Sequence, residues 1–325
     1  MNHNGDLDLA HKLIDVAVEA GANAVKFQTF RAERLVTADA PKATYQLDAT
    51  DAIESQFEML QRLELDSDAH DTLITHCREK RCVFLSTPFD ETSADLLENF
   101  GVPAFKTPSG EITNLPFLSH IAAKNKPMIV STGMAYLGEV ETAVRTIEET
   151  GNHTFALLQC VSNYPANPAD SNLRAMNTMG KAFGVPIGYS DHTMGVEVPL
   201  AAVALGACIV EKHFTLDRTL PGPDHQASAE PAELAALVRG IRMVEAALGD
   251  GRKRPAEHEA NSAAVARRSL VARCDIAAGT VLTAHHITLK RPGTGLTSAM
   301  LPHVIGRRLR VGVVADTLFG LNMLD

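Results

Sequence analysis

Short apolar runs alternate along the chain with longer amphipathic stretches. Seven runs stand out: residues 24–28, 82–86, 104–106, 128–131, 155–160, 186–190 and 208–213. Each is bounded by turn-forming residues, a pattern that suits strands buried on both faces of a parallel sheet. The stretches between them carry a helical period. Leu7 to Ala20 puts Leu9, Leu13, Ile14 and Ala17 on one face, and Ser93 to Phe100 and Glu139 to Glu149 read similarly. Glu230 to Leu248 places Leu234, Leu237, Val238, Ile241, Val244 and Leu248 at three- and four-residue steps, with Pro231 in the first turn and Gly249 just past the end.

This β-α alternation fits either a doubly wound sheet or a (β/α)8 barrel. The strand ends favour the barrel. Nearly every run closes in polar residues: Lys26 and Gln28, Ser86-Thr87, Lys106 and Ser109, Ser131-Thr132, Ser162 and Tyr164, Ser190-Asp191-His192, Glu211 and His213. An open sheet concentrates its ligand at one switch point, whereas a barrel gathers every strand end around one mouth. Seven strands are one short of eight, and the chain starts in what reads as a loop.

The pattern changes after Gly249. Residues 250–264 are polar and charged and read as a linker. Beyond them, Ser269–Ala272, Val281-Leu282, Ile287–Leu289 and Arg310–Val314 read as short strands, with turns at Ala278-Gly279 and Pro292-Gly293. The expected fold is therefore α/β: a TIM barrel over residues 1–249 with seven of its eight strands found, a linker over 250–264, and a small β-rich domain over 265–325.

Composition adds exclusions. With 45% apolar and 21% charged residues, the chain is neither disordered nor collagenous nor a disulfide scaffold. The longest nearly apolar run, Val198 to Val210, falls short of the ~20 residues of a membrane span. The N-terminus lacks the basic and apolar segments of a signal peptide. Cys77, Cys82, Cys160, Cys208 and Cys274 show no CxxC spacing, which fits reduced thiols and a cytoplasmic location with no membrane contact. Net charge is −9, but residues 263–325 hold eight Lys/Arg against three acids, leaving −14 on residues 1–262. Such a basic tail binds nucleic acid, docks on an acidic body, or reaches an anionic substrate.

Several strand-end residues are candidates for chemistry. His192 and His213 close consecutive strands, so two imidazoles could share a divalent metal, with Asp191, Glu211 and Asp224 nearby; the plainer alternative is two structural histidines. Lys26 and Lys106 follow apolar residues inside strands, and a buried ammonium needs an anionic partner. With Ser109, Ser131 and Ser190 they would hold a phosphate or carboxylate; alternatively their stems line the barrel and their heads reach solvent. Pro221-Gly222-Pro223-Asp224-His225 is a stiff loop that either presents Asp224 to a substrate or is a plain turn. No P-loop, HExxH or complete dinucleotide motif occurs.

Longer motifs then align with a known family. Val25-Lys26-Phe27-Gln28-Thr29-Phe30, Phe84-Leu85-Ser86-Thr87-Pro88-Phe89-Asp90, Ser109-Gly110-Glu111-Ile112 and Ser131-Thr132-Gly133-Met134 resemble the sialic acid synthases. The resemblance continues through Gly188-Tyr189-Ser190-Asp191-His192-Thr193, Glu211-Lys212-His213-Phe214-Thr215-Leu216-Asp217, Gly222-Pro223-Asp224-His225, Ala266-Arg267-Arg268-Ser269 and Lys290-Arg291-Pro292-Gly293, in family order over essentially the whole chain.

The resemblance implies a TIM barrel followed by an antifreeze-like (SAF) domain. It implies condensation of phosphoenolpyruvate with an N-acylated mannosamine-type aldehyde to give a nonulosonic acid and phosphate. A metal, usually Mn2+ with Mg2+ or Co2+ as alternatives, is expected on His192 and His213. Phosphoenolpyruvate is expected on Lys26, Thr87, Lys106, Ser109, Ser131, Ser162 and Ser190, with Ser162 standing where some members carry Asn. The sugar is expected on Gln28, Tyr164, Asp224 and, from the other chain of a domain-swapped homodimer, Arg291. Glu211 and Lys106 are the expected catalytic residues. The basic tail then reads as a cap on a partner's acidic barrel, and nucleic acid drops out.

N-acetylmannosamine, giving N-acetylneuraminic acid, is the first expected substrate. A 2,4-diacetamido-2,4,6-trideoxymannose, giving legionaminic acid, is the alternative. One departure matters: the family's first strand, ending in a glutamate just before Asn2-His3-Asn4-Gly5, has no counterpart. Either the start is assigned too late, the favoured expectation because nothing else looks degenerate, or the chain is a truncated, non-catalytic relative.

Overall fold

The structure is a computed structural model that describes residues 1–43, 46–47, 50 and 54–325. It divides into two compact units, Met1–Gly249 and Asp250–Asp325.

In the first unit seven strands run in chain order: β1 (Ala24–Thr29), β2 (Val83–Pro88), β3 (Phe105–Thr107), β4 (Met128–Ser131), β5 (Phe155–Cys160), β6 (Ile187–Asp191) and β7 (Val210–Lys212). Each lies within or beside one of the seven apolar runs. Among the described residues, eight helices of eight residues or more alternate with them: α1 (Leu7–Glu19), α2 (Ser67–Glu79), α3 (Glu91–Asn99), α4 (Leu115–Ala122), α5 (Leu137–Glu149), α6 (Arg174–Phe183), α7 (Glu197–Ala204) and α8 (Pro231–Leu248). All strand pairs are parallel; β1 pairs with β2, and β3 through β7 pair in sequence, with β2 lying beside β3. This is the curved parallel sheet of a TIM barrel.

Local rules explain the helix ends. Asp6, Asp66 and Asp90 cap α1, α2 and α3 by accepting from the backbone N–H three residues on. Pro231 opens α8 and Gly249 closes it. The inner faces build the main core, where Ile14, Leu73, Leu97, Phe105, Leu118, Ile121 and Ile147 are wholly buried.

The barrel is open on one side. β1 and β7 are terminal strands of their sheets, and no ladder joins them among the described residues. A cavity of about 470 Å3 lies between them, walled by Leu13 and Ala17 of α1, Val25 of β1, Val210 of β7, and Val238 and Ile241 of α8. This changes the reading of α8. Leu234 and Leu237 are buried, but Val238, Ile241 and Val244 are only half-buried, and Leu248 is exposed. The apolar stripe is as wide as its period predicts, but its later part faces a gap instead of a strand. All three β7 residues are half-buried for the same reason.

The second unit is small and β-rich. β8 (Ser269–Ala272) pairs antiparallel with β9 (Ile287–Lys290) around a core of Leu270, Leu282, Val304, Leu309 and Phe319. Two expected strands are reduced to single bridges, Val281 with Arg308 and Ile276 with Val313. The segment read as a linker contains a helix at Ala260–Ala266 and belongs to this second unit.

Gly188 in β6 shows how close the strands lie. A Cβ there would sit 2.5 Å from the Ile209 carbonyl oxygen and 2.5 Å from Leu158 Cδ2. Backbone cannot yield as a flexible side chain does, so G188A is expected to lose about 1–3 kcal/mol of stability through overpacking. Urea unfolding measures this, and a variant with parental stability would contradict the packing.

Candidate active site

The strand ends bring the chemistry to one mouth. Inside a barrel strand, alternate residues face the interior. Lys26 on β1 and Lys106 on β3 both face Glu211 on β7. Lys26 Nζ is 3.5 Å from Glu211 Oε1, and Lys106 Nζ is 3.6 Å from Oε2. Lys106, 3% exposed, also donates to Ser131 Oγ at 2.7 Å and to the Thr107 carbonyl at 2.9 Å. Burial pushes the Glu211 carboxyl up, but the two ammonium groups outweigh it and bring it to about 2. Burial also lowers the Lys106 pKa, with Glu211 opposing the shift.

The hydroxyl groups expected from the sequence gather at the same end. Ser109, Ser131 and Ser190 are buried, and Ser162 is half-buried. Gly133 N–H donates to Ser109 Oγ at 2.9 Å. A Cβ on Gly133 would meet Ser162 Oγ at 2.4 Å and Ser109 Oγ at 2.7 Å, so this corner is built around a missing side chain. Thr87 Oγ1 is buried with no hydrogen-bond partner among the described residues. An orphaned buried hydroxyl costs free energy unless a ligand or water satisfies it. Two cations and the hydroxyls suit a small polyanion.

The two histidines do converge. The His192 and His213 rings lie 5.1 Å apart, and the Tyr164 ring lies 4.2 Å from the first and 5.5 Å from the second. His192 Nδ1 is 2.7 Å from the Val161 carbonyl, so it carries the proton and leaves the Nε2 lone pair free. Burial lowers His192 to about 4 and His213 to about 3; the neighbouring His213 adds to the first shift and Lys26 to the second. Both imidazoles are therefore neutral near pH 7, the form that ligates metals. Asp224, whose pKa burial raises, brings Oδ2 to 3.7 Å from His213 Nδ1. Among the described residues no group of three His, Cys, Asp or Glu has metal-ligand spacing. The donor set fits a divalent ion held by two protein nitrogens, with other positions open to oxygen ligands.

Gln28, Lys26, Lys106, Glu211, His213 and Asp224 all line the cavity between β1 and β7, so the open flank leads into the mouth. Arg291 is exposed on the second unit.

Two expectations change. Asp191 does not face the metal candidates: it points away and pairs with Lys212. Cys160, read from sequence only as a reduced thiol, ends β5 inside the mouth, hydrogen-bonded to Ser109 and Ser190 and 3.8 Å from His192 Nδ1. Burial raises its pKa, which makes it a packing thiol and not a nucleophile. Its position at a strand end was the signal available.

The neutral histidines set a pH dependence. Unfolded, they take up protons below about pH 6.5; folded, they resist until about 4 and 3. Stability from this source is therefore complete above pH 6.5 and is lost as pH falls. The loss at pH 5 is about 2 kcal/mol per imidazole. Urea unfolding of the metal-free protein at pH 7 and pH 5 reads it. The H192N/H213N variant is expected to lose less over the same interval, and an equal loss would contradict the burial argument.

Comparisons with known proteins agree with this architecture. Residues 13–253 match the NeuB family and residues 267–325 match the SAF domain. The chain is 48% identical to the N,N'-diacetyllegionaminic acid synthase of Campylobacter jejuni, over 94% of this chain and 92% of that one. It is 36% identical to human N-acetylneuraminate-9-phosphate synthase, over 100% of this chain and 90% of that one. Among solved structures, the sialic acid synthetase of Leptospira borgpetersenii, in complex with citrate, superposes with a TM-score of 0.72 at 38% identity, covering 80% of this chain and 86% of that one. The chain therefore belongs to the NeuB family and carries a C-terminal SAF domain.

Proposed function

We propose that the protein condenses phosphoenolpyruvate with an N-acylated amino-sugar aldehyde to give a nonulosonic acid and phosphate. The observation that carries this reading is the pair of ammonium groups on Glu211, beside serine hydroxyls and two neutral imidazoles at one mouth. The relatives are named as synthases of legionaminic, neuraminic and pseudaminic acids, and the chain is an enzyme of this class.

Lys26 and Lys106 hold the phosphate and carboxylate of phosphoenolpyruvate, with Ser109, Ser131, Ser162, Ser190 and the orphaned Thr87 hydroxyl completing the cradle. Gln28, Tyr164 and Asp224 receive the sugar. His192 and His213 hold Mn2+, or Mg2+ or Co2+, which supplies Lewis-acid polarisation of the aldehyde when bound. The C3 carbon of phosphoenolpyruvate bonds to the aldehyde carbon, water adds at C2, and phosphate leaves. Glu211 stands where its carboxylate stabilises positive charge developing at C2. The protein acts in the cytoplasm as a homodimer. The exposed Arg267, Arg268 and Arg291 of the basic unit support its role as a cap over the partner's acidic barrel, with Arg291 reaching the sugar.

For the sugar, the relatives reverse the order expected from the sequence. Those at 48% and 46% identity are named N,N'-diacetyllegionaminic acid synthases, against 36% for the human N-acetylneuraminate-9-phosphate synthase. We therefore place 2,4-diacetamido-2,4,6-trideoxymannose ahead of N-acetylmannosamine. The open edge between β1 and β7 favours a second reading, a relative that binds but does not turn over.

A phosphate-release assay with Mn2+, phosphoenolpyruvate and each sugar separates these readings. The expected result is turnover with a higher kcat/KM for the diacetamido sugar. A preference for N-acetylmannosamine would overturn the sugar assignment, and no release with either would favour the non-catalytic reading. H192A and H213A are each expected to abolish Mn2+ binding and turnover; parental Mn2+ affinity and rate in either would remove the metal assignment.

A further inference from the structure

Strand alternation puts Ser190 and His192 on the mouth side of β6, and Glu211 and His213 on the mouth side of β7. Asp191 and Lys212 lie between them on the opposite face. They are also register partners, the last residues at which β6 and β7 run side by side as a ladder. Past that point the two strands part. The His192 carbonyl accepts from Ala166 N–H, and the His213 carbonyl accepts from Ala229 N–H. No backbone hydrogen bond links one histidine to the other among the described residues, and β7 has no strand on its far side.

Here the chain places a fully partnered ion pair. Lys212 Nζ donates to Asp191 Oδ2 at 2.7 Å, to the Thr193 carbonyl, and to the Gly195 carbonyl at 3.4 Å. Asp191 Oδ1 accepts from Thr193 N–H at 2.9 Å and from Thr193 Oγ1 at 2.8 Å. The side chains are 0% and 5% exposed. Every donor of the ammonium has a partner, and each carboxylate oxygen accepts at least one hydrogen bond. The cluster ties β7 to the turn that leads out of β6 through His192. The paired side-chain ends are buried against each other and the Thr193–Gly195 turn.

We propose that Asp191 and Lys212 are positioning residues that fix where His192 and His213 present their ring nitrogens, and so tune metal affinity. Removing the pair keeps both imidazoles in the chain but lets the end of β7, and His213 with it, drift, because the ladder has ended and β7 has no strand on its far side among the described residues. A buried ion pair is weak support for stability by itself, since apolar replacements of similar volume often serve as well. That weakness separates the two roles: a stabilising pair shows in the melting temperature, whereas a positioning pair shows in ligand affinity. Outer-shell partners of metal ligands commonly change affinity by about 10–100-fold.

This inference rests on the metal reading of the histidines. The test is Mn2+ titration of the full chain, read from the free-ion electron paramagnetic resonance signal, with thermal melting of the metal-free protein alongside. D191N/K212M removes both charges while keeping an acceptor for Thr193. It is expected to melt cooperatively and to bind Mn2+ about 10–100-fold more weakly than the parent. D191E, which keeps both charges and displaces the tie by one methylene, is expected to weaken Mn2+ binding in the same direction and stands as the second variant if the first does not fold. Parental Mn2+ affinity in either folded variant overturns the positioning role and leaves the metal reading intact. A parent protein that binds no Mn2+ overturns both.

Discussion

The Glu211 carboxylate between Lys26 and Lys106 is the interaction on which the rest of the site depends. One side chain from β7 meets ammonium groups from β1 and β3, across the interior of the barrel. Without it two cations would face each other in a largely apolar wall, and at least one would have to shed its proton or swing to solvent. With it the pair keeps a net positive charge near the serine hydroxyls. That residual charge suits the mouth to the anion proposed for it. The carboxylate also reaches toward β1 across the flank that no backbone ladder closes, so electrostatics substitutes there for strand pairing.

Much of this was legible in the chain. The seven apolar runs became seven strands, because a parallel strand buried on both faces needs a continuous apolar core and a polar end. The residues that face the mouth were found because they are polar at the ends of otherwise apolar segments. Lys106, Ser131, Ser190, His192, Glu211 and His213 are of this kind, and they meet.

What the pattern hid was direction. Asp191 reads as a member of the cluster Ser190-Asp191-His192, but a period of two turns it to the far side, where Lys212 does the same between Glu211 and His213. Cys160 was missed for a different reason: a thiol counts as apolar, so it vanished into the run that it ends. The stripe on α8 was correctly apolar, but what it packs against is a matter of tertiary neighbours. In the second unit, strands that depend on long-range pairing shrank to single bridges, because short segments leave little ladder to form.

The flank between β1 and β7 leaves the charged clamp unevenly covered among the described residues. A closed barrel admits water only through its mouth, which keeps the interior dry and its charges strongly coupled. Here the side chains of Lys26 and Glu211 are 21% and 20% exposed, while that of Lys106 is 4% exposed. The two arms of the same clamp therefore work in different dielectric surroundings. The β1 arm is softened by solvent and responsive to salt, and the β3 arm is stiff and indifferent to it. On the proposed function the two arms meet an incoming anion unequally, Lys26 through a partly solvated charge and Lys106 through a buried one.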